Sequence, residues 1–100
     1  MTFDKDQVRE QLTIENIFEV LQDWGGDPEY TEFGIISTTI CHNAPGEGSR
    51  KLYYYENSGL FKCYTSCDET FDVFQLAIKI YSVQHNKKID LNSAINLIAF

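Results

Sequence analysis

The sequence lacks several features that would assign it to a broad class of protein. It has no apolar run close to the roughly 18 residues that a membrane span needs, and residues 1–10 do not show the basic and then apolar layout of a signal peptide. It contains only three cysteines, an odd number that argues against a disulfide framework. No glycine-rich phosphate loop is present. These absences predict a cytoplasmic protein with no membrane partner and free thiols.

Positive charge is also scarce, and its distribution is uneven. The 100 residues include 8 basic and 15 acidic side chains, for a formal net charge of -7. Nine of the acidic residues lie in residues 1–34, beside only Lys5 and Arg9, whereas residues 35–67 carry two acidic and three basic residues. The acidic first third would oppose long-range attraction of nucleic acid, but the middle third would not.

What is present predicts one small domain over residues 1–100. The hydrophobic fraction of 43% is enough for a modest single core. Apolar spacing predicts a helix after Thr13, ending at Gly25, and a second helix after Cys67, capped by Asp68 or Thr70. A third helix would follow Asp90. Residues 32–40 are rich in β-branched and aromatic types, which predicts a strand that leads into Cys41.

Residues 51–64 predict a β-hairpin, because two short alternating runs flank an Asn/Gly-containing turn at residues 56–59. One side of its first strand would present Tyr53 and Tyr55 and the other side Leu52 and Tyr54, so that one set is buried against the helices.

Two pairs of possible metal ligands bracket this hairpin. Cys41 and His42 precede it, and Cys63 and Cys67 follow at its end. Three thiols and an imidazole form a Cys₃His set, which suits tetrahedral Zn²⁺. The alternative is that the cysteines are small buried apolar side chains and His42 is an exposed turn residue. His85 is the reserve candidate for the fourth ligand.

The residues at these positions resemble the zinc-binding domain of DnaG-type DNA primases, most closely the variant of phages and mobile elements of Gram-positive bacteria. The resemblance rests on Cys41-His42-Asn43, the strand at residues 51–55, Phe61-Lys62-Cys63-Tyr64 through Cys67, and Phe71-Asp72-Val73-Phe74. Bacterial primases have Cys-x₂-His and Cys-x₂-Cys at the two ligand pairs, whereas this chain has adjacent ligands in the first pair and three intervening residues in the second.

The resemblance implies an α+β domain, a small zinc ribbon whose antiparallel hairpin sheet packs against N-terminal and C-terminal helices, as a fragment of a longer primase. It implies Zn²⁺ as cofactor and a bacterial or phage-infected host. It also implies binding of the single-stranded DNA template at the priming site, with a separate primase polymerase domain and a replicative helicase as partners. The domain itself would be non-catalytic.

The hairpin carries side chains that suit this role, because aromatic rings stack on unpaired bases and cations meet phosphates. The predicted DNA-binding residues are Arg50, Lys51, Tyr53, Tyr55, Lys62 and Tyr64. The alternative function is a zinc-stabilised interaction domain that docks on a helicase or polymerase, and the acidic helix after Thr13 favours it. A Cys41–His42 nucleophile pair is disfavoured, since residues 35–45 offer no carboxylate to orient the histidine.

Overall fold

An antiparallel sheet forms the centre of the structure, a computed structural model that describes residues 5–65 and 69–98. Within those ranges five strands lie side by side in chain order. The strands are β1 (Glu29–Tyr30), β2 (Gly34–Ser37), β3 (Leu52–Tyr55), β4 (Leu60–Cys63) and β5 (Thr70–Phe71). The helices of the same ranges are α1 (Lys5–Gln11), α2 (Ile14–Asp23), α3 (Val73–His85) and α4 (Leu91–Ile98). The predicted α+β class is confirmed.

The predicted hairpin is confirmed as β3 and β4, which pair with Leu52 opposite Cys63 and Tyr53 opposite Lys62. Alternation along these strands gives the sheet two different faces. Leu52 and Tyr54 are 1% and 8% exposed and belong to the hydrophobic core, whereas Tyr53 and Tyr55 on the other face are half-buried. The expectation that one of the two sets is buried is therefore confirmed.

The core lies between the inner face of the sheet and the helices. Helix α3 packs on β4 and on α4, and its Phe74 and Leu76 are fully buried, as is Phe61 of β4. Helix α2 packs on β2. None of the described helices is both long enough and apolar enough to cross a bilayer.

The helix ends are fixed by side-chain caps. Thr13 caps α2 through a reciprocal pair of hydrogen bonds with Asn16, at 3.2 and 3.0 Å, as its position in the sequence predicts. Asp90 caps α4 by accepting the Ser93 backbone N–H at 2.8 Å, and this bond lowers the pKa of Asp90 below its usual value.

The prediction for the start of α3 was wrong. Thr70 belongs to β5, where Phe71 pairs with Phe61, so the chain is still extended at that point. The cap is Asp72, whose carboxylate accepts the Gln75 N–H at 2.9 Å while the Gln75 side chain accepts the Asp72 N–H at 2.9 Å. The other predicted cap, Asp68, lies outside the described residues.

The predicted strand over residues 32–40 is shorter than expected, because β2 ends at Ser37. Beyond it the backbone leaves the ladder: the Thr38 N–H donates to the Gly26 carbonyl at 2.8 Å and the Thr39 N–H to the Ser49 carbonyl at 3.0 Å. Ile40 is fully buried in the core. The chain therefore bends before Cys41 instead of leading straight into it.

Candidate metal centre

Cys41 and His42 lie in a tight turn that the bend after β2 produces. The backbone N–H groups of His42 and Asn43 both donate to the Thr39 carbonyl, at 3.2 and 3.0 Å, and the Asn43 side-chain amide donates to the Thr39 hydroxyl at 2.9 Å. Neighbouring side chains point in opposite directions on an extended strand, but not on a turn of this kind. The turn therefore removes the main geometric objection to adjacent ligands.

Cys63 reaches the same place from the last residue of β4. Its side chain is fully buried on the inner face of the sheet, and its backbone N–H donates to the Glu69 carbonyl at 3.4 Å. The strand pairing thus brings Cys63 to the Cys41–His42 turn although His42 lies 21 positions earlier in the chain.

The metal-binding atoms of Cys41, His42 and Cys63 lie within 4.8 Å of one another; we call these three residues the ligand cluster. His42 Nδ1 is 3.2 Å from the Cys41 sulfur and 3.8 Å from the Cys63 sulfur. Tetrahedral zinc, with Zn–S of about 2.3 Å and Zn–N of about 2.0–2.1 Å, would separate nitrogen from sulfur by about 3.6 Å. The cluster is close enough to hold a metal ion.

Thr65 also contacts the histidine ring, and sequence reasoning did not find it. Its hydroxyl oxygen lies 3.3 Å from His42 Nε2 and 3.3 Å from the Cys63 sulfur. A threonine two residues after a ligand carries no signal of its own in the sequence, because its contact with His42 depends on the fold.

Two further residues, Cys67 and His85, are the remaining predicted ligand and the reserve ligand. Cys67 lies outside the described residues. His85 ends α3, where its exposed ring packs 4.9 Å from the ring of Tyr81. The structure therefore brings His42, and not His85, to the two described cysteines.

We expect His42→Ala to lower the zinc affinity of the chain by at least tenfold, because it removes the only nitrogen ligand of the cluster. His85→Ala is the matched control and should leave the affinity unchanged. Competition for zinc with a chelating dye measures both. If only the His85 variant lost zinc affinity, His85 and not His42 would be the nitrogen ligand.

The outer face of the sheet beside this centre carries a row of touching aromatic rings. We call Phe33, Tyr53, Tyr55 and Tyr64 the aromatic face. Tyr53 lies in the middle, with ring centroids 5.4 Å from Phe33, 6.4 Å from Tyr55 and 4.9 Å from Tyr64. Sequence reasoning identified the three tyrosines but not Phe33, which joins them because Gly34 pairs with Tyr55.

A hydrogen bond joins the two hydroxyl groups at the end of this row, Tyr55 and Tyr64. This bond favours the protonated phenol and raises the pKa of Tyr55 to about 12. Tyr55 is therefore neutral at physiological pH, and Tyr64 is half exposed. Tyr55 therefore adds no negative charge to the aromatic face.

The predicted cations are placed unequally around the aromatic face. Lys62 shares the outer face of β4, and its ammonium lies 5.7 Å from the centre of the Tyr64 ring. Lys51 is exposed just before β3. Arg50 instead forms ion pairs with Asp27 at 2.9 Å and Glu29 at 3.4 Å. These ion pairs make Arg50 less available to a phosphate than its place in the sequence suggests.

Comparison with known proteins gives one informative match. The chain is 46% identical, over 101 aligned positions, to the SPbeta prophage-derived uncharacterized protein YorJ of Bacillus subtilis (strain 168). The alignment covers 99% of this chain and 26% of that protein, so the chain spans about a quarter of the length of the curated relative it matches. No protein-family model matches the chain, and no solved structure matches it.

Proposed function

We propose that this chain is a zinc-stabilised module that binds single-stranded DNA for a primase. The main support for the proposal is that the two sites adjoin in the chain, because Cys63 of the ligand cluster is followed directly by Tyr64 of the aromatic face. The prophage origin of the similar protein is in keeping with the phage variant of the primase domain that the sequence resembles.

The ion would be Zn²⁺, because two thiolates and an imidazole form a soft donor set typical of structural zinc sites. Cys67 would supply the fourth ligand, as the sequence motif implies. A closed set of four protein ligands leaves no position for a substrate, so the metal would stabilise the domain without taking part in a reaction.

Single-stranded DNA suits the aromatic face for two reasons. Half-buried and exposed rings on one surface stack on unpaired bases, and every base has a face that can stack. Lys62 lies beside Tyr64 and would meet the phosphate backbone. The acidic residues of the first third of the chain, together with the pairing of Arg50, limit phosphate neutralisation, so binding by this module alone would be weak and its salt dependence shallow.

In a longer protein the module would hold the template for a separate polymerase domain that makes the RNA primer, and a replicative helicase would be a further partner. These partners come from the resemblance to primases. The aromatic face and Lys62 would contact the template itself.

The test is a fluorescence anisotropy titration of zinc-loaded protein with a labelled single-stranded oligonucleotide at low salt. We expect Lys62→Glu to weaken binding several-fold and to flatten its salt dependence, because a phosphate contact is replaced by repulsion. Lys87→Glu is the matched control, since Lys87 is an exposed lysine that follows α3 and does not belong to the hairpin. Equal weakening by both variants, or no binding by the unmodified chain, would contradict the proposal.

A second function, docking on a protein partner, is favoured by a separate surface. Helix α2 exposes a stripe of carboxylates, Glu15, Glu19 and Asp23, spaced four residues apart. Next to this helix, Tyr30 is 54% exposed and stacks on Phe18 with ring centroids 4.3 Å apart. A basic groove on a helicase or polymerase would complement this surface. If Glu19→Lys abolished such a complex, and neither the unmodified chain nor the variant bound DNA, the docking function would be favoured.

A further inference from the structure

We infer that Thr65 is a positioning residue that makes His42 bind the metal through Nδ1 and not through Nε2. The inference rests on the proposed metal function. It adds which atom of the ring is the ligand and which side chain selects it.

The first observation is the orientation of the His42 ring. Nδ1 is the nitrogen that faces the sulfurs of the ligand cluster, at 3.2 and 3.8 Å, while Nε2 lies 3.3 Å from the Thr65 hydroxyl oxygen. A neutral imidazole has one N–H donor and one lone pair on its other nitrogen. With Nε2–H donating to Thr65, the lone pair of Nδ1 points toward the two thiols and is the one available to a metal.

The hydroxyl group of Thr65 can serve both neighbours at once. A hydroxyl has two acceptor lone pairs and one hydrogen. Its oxygen accepts the Nε2–H of His42, and its own hydrogen donates to the Cys63 sulfur at 3.3 Å. A thiolate that binds a metal carries negative charge and is a good acceptor for this hydrogen. One side chain thus orients two ligands.

The turn that holds the first ligand pair supplies an independent reason. Cys41 and His42 are adjacent, and a cysteine side chain is short, so a metal bound by both must lie close to the backbone of the turn. Nδ1 is two bonds from the histidine Cβ, whereas Nε2 is three bonds away. Ligation through the nearer nitrogen therefore fits adjacent ligands, and Thr65 on the far side of the ring stabilises it.

The test combines substitutions with a spectrum of the unaltered protein. Thr65→Val keeps the shape of the side chain but removes the hydroxyl, and we expect zinc affinity to fall about 10-fold to 100-fold, the usual range for loss of such a partner. Thr65→Ser should restore most of the affinity. Thr70→Val, at an exposed strand position, is the control and should have no effect.

Long-range ¹H–¹⁵N correlation spectra of the zinc-loaded wild-type chain identify the bound nitrogen without any substitution. We expect the spectrum of His42 to show the metal on Nδ1 and the proton on Nε2. Metal on Nε2, or a Thr65→Val variant that binds zinc as tightly as wild type, would overturn this inference and leave the proposed metal function standing. Failure of the wild-type chain to bind zinc at all would overturn both.

Discussion

Cys63→Ser is expected to abolish stoichiometric zinc binding and to unfold most of the hairpin. Serine is close to cysteine in size, but a hydroxyl is a far poorer zinc ligand than a thiolate. Structural zinc contributes on the order of 10–16 kcal/mol to small metal-dependent modules, which equals or exceeds the whole stability of a typical domain, about 5–15 kcal/mol. Because Cys63 is fully buried at the end of β4, its loss also affects the strand that carries Lys62.

Elemental analysis and urea unfolding, followed by circular dichroism, measure this outcome. The unmodified chain should contain one zinc per molecule, and the variant none. The informative control is the same pair of proteins in excess chelator. If loss of the metal causes the destabilisation, wild type and Cys63→Ser should have nearly the same unfolding midpoint in excess chelator. A wild-type chain without zinc, or a variant that is equally destabilised with and without chelator, would show that Cys63 acts through packing alone.

The hairpin could be predicted from the sequence because its signals are local. Alternation from Leu52 to Tyr55 and the turn before Leu60 predict the pairing and that one of the two faces is buried, and Gly59 adopts the positive φ of 69° that such a turn uses. The cap of α2 at Thr13 depends on only four consecutive residues and is local in the same sense.

The turn that forms the ligand cluster could not be predicted in this way. Thr39 and Ile40 favour a strand by residue type, but the Thr39 N–H bonds to Ser49 and Ile40 is fully buried. Burial and a long-range hydrogen bond outweigh the local preference at these positions. The same holds for the contacts of Thr65 with His42 and of Phe33 with Tyr53, which join residues 20 or more positions apart in the chain.

The ion pairs of Arg50 reduce the positive charge that this residue would offer to a phosphate near the hairpin. The sequence places Arg50 beside Lys51, but the fold brings Asp27 and Glu29 against its guanidinium. In the proposed function, stacking on the aromatic face, and not charge, would therefore make the larger contribution to binding of single-stranded DNA.

Tyr53→Ala is therefore expected to weaken binding of single-stranded DNA more than any single charge reversal. Tyr53 is the ring that contacts Phe33, Tyr55 and Tyr64, so its removal deletes the stacking surface in the middle of the aromatic face. Loss of one stacked base is worth about 1–3 kcal/mol, which corresponds to a decrease in affinity of about 5-fold to 150-fold. Anisotropy titrations with a labelled oligonucleotide measure the decrease.

Tyr30→Ala is the matched control for this prediction, because Tyr30 is an exposed tyrosine of β1 that stacks on Phe18 and lies outside the aromatic face. It should bind single-stranded DNA as the unmodified chain does. Removal of zinc by a chelator should also weaken binding, since Tyr64 is held between Cys63 of the ligand cluster and Thr65, which contacts His42. If Tyr53→Ala binds normally and Tyr30→Ala does not, the DNA contact lies on the α2 side of the domain and the aromatic face has another role.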